Sequence, residues 1–370
     1  MKRHILIIFP DEWLSHSPTV LNLVKIFRNE FKTTVLTFTD GTFRNEQLDD
    51  EEFSFIRIPH GLARVFLRRA RILYSLLKAG LLLLRLRTYR KSHPVDEVIA
   101  IDSVGLWAAQ TVFGRCHFLS LEVKRDVFFR MCTPARIRSV VIQTPERLSA
   151  LMPGLTADTF YIQNAPSLTG NDIDRHQKSS FNGTLLFFGN ILPSHGIYAV
   201  LEALDSVSGL SYTLTIKGII YKDRVRTFIL ERYKALFKRG KIILDETYTP
   251  QDEIIDYISQ FSLGFCLYDF NRISSKDFNY LSSPSGKLFN YYAAGVPVIG
   301  TDVLGLKSVR QFRTGVLIQE ISPGSIQEGI SKIIAGYREF SRNCILAAKY
   351  FDFDKTSAIY KQYLRSLAND

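Results

Sequence analysis

Short apolar runs recur along the whole chain, each followed by a polar turn and a stretch with helical spacing, and that alternation confines the fold to parallel α/β architectures. Residues 4–9 form an apolar run ending at the loop Pro10-Asp11-Glu12-Trp13, an amphipathic pattern covers 18–31, and 34–38 is apolar again. Strand, helix and strand in that order start a parallel sheet with right-handed crossovers. Further strands are expected at 53–58, 97–101, 117–121, 139–142 and 159–162. A polar segment at 163–177, QNAPSLTGNDIDRHQ, breaks the pattern and reads as a linker. The plan then repeats at 185–188, 212–217, 241–244, 263–267, 297–300 and 315–318.

With 370 residues the chain exceeds one ordinary α/β core. Two Rossmann-like domains are expected, residues 1–165 and 178–351, with 352–370 forming a last helix that packs back on the first domain. Apolar residues make up 46% and charged ones 22%, which excludes a disordered chain. Cys116, Cys132, Cys266 and Cys344 lie far apart without paired spacing. Neither a zinc site nor a disulfide framework is expected, and a reducing cytosol is the natural compartment. The apolar run before Pro10 is too short for a signal-peptide core, so export by that route is not expected.

The formal net charge is +11, a surplus that points to an anionic partner. No acid occurs between Phe53 and Val95, where cations including Arg64, Arg68, Arg71, Lys78 and Arg85 are interleaved with leucines. The most apolar part, 72–84, contains Lys78 and falls short of the roughly 20 residues a membrane span needs. A basic, leucine-rich helix suits the bilayer interface, with apolar side chains in the headgroup boundary and cations toward anionic lipid. These five cations are therefore expected to contact a membrane surface. No helix-turn-helix or aromatic-studded basic sheet pattern is present, so nucleic acid is not an expected partner.

Residues 282–302 read SSPSGKLFNYYAAGVPVIGTD: a polar loop, a short helix, then a buried strand. A helix that begins right after such a loop offers free backbone N–H groups and a positive dipole end, and Lys287 falls in its first turn. That combination holds a diphosphate. Ser285 and Gly286 stand near the helix start, Leu288, Tyr291 and Tyr292 make an apolar stripe, and Gly295 can close the helix. Pro297 suits a first strand position or the turn into one.

This segment resembles the donor-binding motif of the group 1 (family 4-like) glycosyltransferases of the GT-B fold. Members typically carry Lys-Leu-Phe-Glu-Tyr-Met-Ala-Ala-Gly-x-Pro-Val-Ile, and residues 287–299 here read KLFNYYAAGVPVI. A second stretch, 183–204, GTLLFFGNILPSHGIYAVLEAL, resembles the strand, glycine loop and helix that open the family's nucleotide-binding domain. The resemblance implies two Rossmann-like parallel-sheet domains facing across a cleft. It also implies a nucleotide-diphosphate-sugar donor, a glycan or lipid-linked acceptor, no metal or other cofactor, and transfer with retention. Joined to the basic helix, it places the protein peripherally at the cytoplasmic face of the cell membrane, in polysaccharide or lipopolysaccharide biosynthesis.

Gly189, ending the apolar strand LLFFG, lets the chain pass close to a ligand. Where the family has an arginine and a lysine for the diphosphate, this chain has Asn190 and His195. Fixed charge then falls to Lys287, helped by Lys217 or Arg272. Two family glutamates correspond to Ser282 and Asn290. The donor is thus expected at Gly189, Asn190, His195, Lys217, Ser282, Ser285, Gly286, Lys287 and Asn290.

Inverting transfer would need a carboxylate of the first domain to remove the acceptor proton. Glu122, after the apolar run at 117–121, is the first candidate and Asp102, after 97–101, the second. The pairs Asp172/Asp174 and Asp352/Asp354 are not read as metal sites, since one lies in the linker and the other precedes a helix. Two alternatives remain: a sugar-nucleotide epimerase on the same fold, which needs a donor but no acceptor, and, given the missing glutamates and the lost Arg/Lys pair, a non-catalytic relative serving as a membrane-docked partner subunit.

Overall fold

The computed structural model describes residues 2–14, 17–39, 53–59, 71–168, 170, 172–206, 212–273 and 277–367. The chain forms two compact units, Met1–Gln163 with Phe353–Asp370, and Asn164–Asp352.

The first unit is a parallel sheet of β1 (Arg3–Phe9), β2 (Phe31–Thr39), β3 (Phe53–Pro59), β4 (Glu97–Ile101), β5 (Cys116–Leu119), β6 (Ile137–Ile142) and β7 (Asp158–Tyr161) in the order β3-β2-β1-β4-β5-β6-β7. Central strands of a sheet covered on both faces are apolar throughout, and β1 is buried from His4 to Phe9. Leu6 and Ile8 enter one core with Leu36, Ala100 and Phe118, while Ile5, Ile7 and Phe9 enter the other with Ile99 and Leu119. The last helix, Phe353–Ser366, covers that second face. Its Tyr360 ring is fully buried, 5.0 Å from the Phe160 ring, and Leu364 O accepts from Arg3 Nη1 at 2.6 Å.

The helix Arg71–Ser92 buries Ala79, Leu82, Leu86 and Tyr89, which recur at helical spacing. On its outer side Leu73, Leu76 and Leu84 are 58%, 54% and 65% exposed. Arg85, Arg87 and Lys91 are exposed too. Lys78, expected at a lipid surface, is instead turned inward. Its ammonium lies 3.4 Å from Asp11 and 3.6 Å from Glu12, over the Phe38 ring at 4.9 Å, because acids at the end of β1 supply the partners its own helix lacks. Arg64 and Arg68 lie outside the described residues, as does the side chain of Arg71. Among the described residues no helix is long and apolar enough to cross a membrane.

The second unit repeats the plan with β8 (Thr184–Phe188), β9 (Thr213–Lys217), β10 (Ile242–Asp245), β11 (Leu263–Cys266), β12 (Val298–Thr301) and β13 (Gly315–Ile318), parallel in the order β10-β9-β8-β11-β12-β13. Each strand expected from the alternation is found within a few residues of its place. Pro297 stands just before β12, where it lacks no ladder donor and its carbonyl accepts from Gly264 N–H at 2.9 Å.

The segment read as a linker behaves differently. The boundary falls at its first residue, and its described residues beyond that pack into the second unit. Ala165 and Ile173 are buried in its core, Leu168 N–H donates to Asp352 Oδ1 at 3.1 Å, and Asp174 accepts from Lys349 Nζ at 2.7 Å. Its polar groups find partners along the second unit: Asp352 and Lys349 at the end of the Tyr337–Phe351 helix take Leu168 and Asp174, and Asp256 takes Arg175 at 2.6 Å.

Candidate functional site

Open parallel sheets bind ligands beyond the carboxyl ends of their strands, where the strand order reverses. In the second unit that point lies between β8 and β11, and in the first between β1 and β4.

At the reversal of the second unit the chain leaves β8 through Gly189 at φ 104°. Its N–H donates to Lys217 O at 2.9 Å, and Gly218 beside it donates to Asp245 O at 3.1 Å. A Cβ on Gly218 would stand 1.8 Å from Gly189 O. Two bare backbones therefore meet at the sheet edge, as a ligand that approaches main chain requires.

Across from them the helix Gly286–Ala293 starts after Ser285, whose side chain makes no cap to the helix. Leu288, Phe289, Tyr291 and Tyr292 anchor its inner face, and Tyr291 OH donates to Leu186 O at 3.1 Å. Gly295, at φ 63°, closes the helix with its N–H on Tyr292 O at 3.0 Å. The Lys287 stem passes 4.0 Å from where a Gly189 Cβ would be, and its ammonium sits 5.4 Å from the centre of the Phe187 ring. Burial lowers its pKa, and only the Cys266 thiol works in the other direction. Lys287 makes no hydrogen bond or ion pair among the described residues. A desolvated ammonium at a helix start without a counter-charge is a receptor for an anion.

His195 adjoins it in the tight turn Pro193–His195. Its Nδ1 is 3.0 Å from Asn190 O, and its ring stands edge-on to Tyr268 at 5.8 Å. Burial first and the nearby Lys287 second push its pKa down to about 4. The Tyr268 hydroxyl faces Ser285, so the turn after β8, the end of β11 and the helix start form one cluster.

Other expected donor contacts fall differently. Lys217, 2% exposed, gives its donors to Asp245 Oδ2 at 2.9 Å, Thr247 O at 2.8 Å and Thr247 Oγ1 at 2.7 Å. It locks β9 to β10 and has no proton left for a ligand, a correction to the expectation. Arg272 pairs with Asp269 at 3.2 Å. Ser282, 1% exposed, donates to Phe278 O at 2.6 Å. Asn190 is exposed and Asn290 half-buried. Two participants were missed: Gly218, which repeats the strand-end glycine signal of Gly189, and Asn164. A Cβ on Gly286 would be 2.6 Å from Asn164 Nδ2; the two are far apart in sequence, so no local signal exists.

The reversal of the first unit is lined with acids. Asp102 begins the helix Asp102–Phe113 at φ 51°, a left-handed conformation rare for aspartate. Its Oδ1 accepts Leu121 N–H at 2.8 Å and Glu122 N–H at 3.1 Å. Burial nevertheless pushes its pKa up to about 7. Asp11, also raised by burial, faces it from the end of β1. Arg147 is fully buried and donates from Nη2 to Leu121 O at 2.8 Å; burial lowers its pKa to about 10. Glu122, the first candidate from sequence, is exposed, whereas the second, Asp102, is half-buried.

A cavity of about 810 Å³ in the second unit is lined by Ser179, Ser180, Tyr337, Arg338 and Arg342. The chain entering β8 forms one wall, so it opens at the amino end of the sheet, away from the reversal.

No family profile and no curated protein matches the chain. Solved structures do. Sucrose-phosphate synthase from Thermosynechococcus elongatus is 14% identical, with all of both chains covered and a TM-score of 0.68. HepE from Anabaena, in complex with UDP-glucose, is 13% identical over 99% of this chain and 100% of the other, with a TM-score of 0.68. The apo lipopolysaccharide outer core galactosyltransferase WaaB is 15% identical over 97% and 99%, with a TM-score of 0.59. The chain thus has the GT-B fold of these glycosyltransferases, two parallel-sheet α/β domains.

Proposed function

We propose that this protein is a glycosyltransferase that moves a sugar from a nucleotide-diphosphate-sugar to a glycan or lipid-linked acceptor. One observation carries the reading: Lys287, desolvated and without a counter-charge, lies at a helix start beside the glycine-edged strand reversal. The HepE likeness supports it, since that protein is seen with UDP and with UDP-glucose. Calorimetry with UDP-glucose and GDP-mannose tests the pocket. Binding of either, weakened at least tenfold by Lys287→Ala, is expected; unchanged affinity in the variant would overturn the assignment.

Transfer with retention and without a metal ion makes the fewest demands on these residues. Lys287 and the helix start stabilise the leaving diphosphate, and the acceptor hydroxyl attacks the same face of the sugar. Asp102, half-buried and near neutrality, favours a second course in which it removes the acceptor proton with inversion. The anomeric configuration of the product separates the two. Release of a free epimer without acceptor would instead point to an epimerase.

We further infer peripheral attachment to the cytoplasmic membrane face and a role in polysaccharide or lipopolysaccharide assembly. Support comes from the exposed leucines of the Arg71–Ser92 helix with Arg85, Arg87 and Lys91 beside them and no acid in that stretch. Flotation with anionic vesicles should be lost in a variant carrying Leu73→Ser, Leu76→Ser and Leu84→Ser. Equal flotation of both proteins would remove the membrane from the reading.

A further inference from the structure

The diphosphate pocket holds one lysine and one histidine where a dianion has to be met, and the histidine is arranged to change its charge. The Nδ1 of His195 lies 3.0 Å from Asn190 O, a carbonyl that can only accept, so Nδ1 carries the proton. Nε2 of the neutral ring then presents a lone pair, and it has no hydrogen bond among the described residues. A phosphate oxygen would be repelled by that lone pair. Adding a proton at Nε2 removes the conflict without moving the ring, because the imidazolium keeps its Nδ1–H on Asn190 O and turns a second N–H outward.

We propose that His195 binds the diphosphate as an imidazolium, taking up one proton from solvent at Nε2 as the anion arrives and returning it when the anion leaves. Lys287 and His195 then form a cationic pair only in the complex. The groups facing His195 agree with this. Lys287 on the Gly286–Ala293 helix and the Tyr268 ring at the end of β11 flank it. Asp269, whose N–H donates to Ser194 O at 2.8 Å, turns its carboxylate to Arg272 at 3.2 Å and to Asn271 N–H at 3.0 Å. With no carboxylate against the ring among the described residues, burial and Lys287 keep His195 neutral in the empty pocket, its pKa down at about 4. A bound diphosphate cancels the lysine's effect and adds negative charge of its own, which favours the imidazolium.

The inference rests on the donor-binding reading and deepens it. UDP-glucose and GDP-mannose suit the test because their diphosphates do not titrate near neutrality. Binding enthalpies of the full chain at about pH 7 would be measured in buffers of different ionisation enthalpy, for the native protein, His195→Gln and His195→Lys. Uptake approaching one proton per ligand is expected for the native protein and none for either variant. Affinity of the native protein should fall about tenfold per pH unit between the histidine's empty-pocket and liganded pKa values and level off above the liganded one, and His195→Lys should bind without that dependence. Binding with buffer-independent enthalpy, or uptake persisting in His195→Gln, would overturn the proposal while leaving the pocket in place. If neither nucleotide sugar bound the native protein, the donor reading itself would fall and this inference with it.

Discussion

At the strand reversal of the first unit the ionisable side chains are Asp11 and Asp102, with Glu122 near, whereas at that of the second they are Lys287 and His195. Burial works against charge at both places, raising Asp102 to about 7 and lowering Lys287 and His195. The difference lies in what stands opposite. Lys78 lies 3.4 Å from Asp11, and Arg147 adds its field to Asp102, but among the described residues no acid accompanies Lys287. In the proposed function, acids with their cations built in would serve a neutral, hydroxyl-bearing acceptor, and a lysine without an acid among the described residues would serve an anion. One topology thus carries two opposite chemistries, set by a few residues after the strands.

Backbone crowding offers the largest way to break this comparison. Gly218→Ala would put a Cβ 1.8 Å from Gly189 O at φ 145°, and a loss of more than about 4 kcal/mol in urea unfolding is expected. Gly105→Ala in the first unit meets Ile8 O at 3.2 Å and should cost only about 1 kcal/mol. Equal costs would mean that the glycine-edged reversal is no tighter than its counterpart.

Next comes Asp102. Its folded carboxyl holds a proton up to about pH 7 while the unfolded one releases it from 3.8, so the native state binds more protons in that window. Stability is therefore fully present at low pH and declines as pH rises through the folded pKa, by up to about 4 kcal/mol. Asp102→Asn should lack this decline in unfolding measured from about pH 4 to about pH 8.

A smaller effect separates binding from folding at Lys287. Lys287→Met should weaken nucleotide-sugar binding about 10- to 100-fold, the worth of a charge-assisted contact. It should also raise the thermal midpoint by a few degrees, since an ammonium buried without a counter-charge is removed. A lowered midpoint would show that the ammonium carries no burial penalty.

The smallest effect has the opposite sign to that of Asp102. His195 folded titrates at about 4 and unfolded near 6.5, so the unfolded state binds more protons between them. The empty protein should lose stability as pH falls through that window, modestly because the ring is partly exposed, and His195→Gln should flatten the slope.

The central strands were legible because parallel strands buried on both faces must be apolar along their length, as β1 and β11 are, whereas the partly exposed edge strands β7 and β10 were legible from their place in the alternation. The helix at Lys287 was legible for a local reason as well: loop, stripe and closing glycine lie within a few residues of each other. Lys217 was misplaced because a lysine ending an apolar strand looks the same whether it faces a ligand or a carboxylate. Asp245 and Thr247, contributed by the neighbouring strand and its loop, decided the matter. Lys78 was misplaced likewise, its partners lying at the end of β1. The strap after Gln163 looked like a linker because polar composition does not reveal that partners far along the chain satisfy it.

By itself the sequence determined the alternation, the two sheets and the helix start that carries Lys287, since each depends on residues that neighbour one another in the chain. Tertiary structure alone decided which ionisable groups are paired and which are not. Whether a lysine or an aspartate keeps its charge depends on desolvation and on partners contributed by distant segments, and those exist only once the sheets have formed.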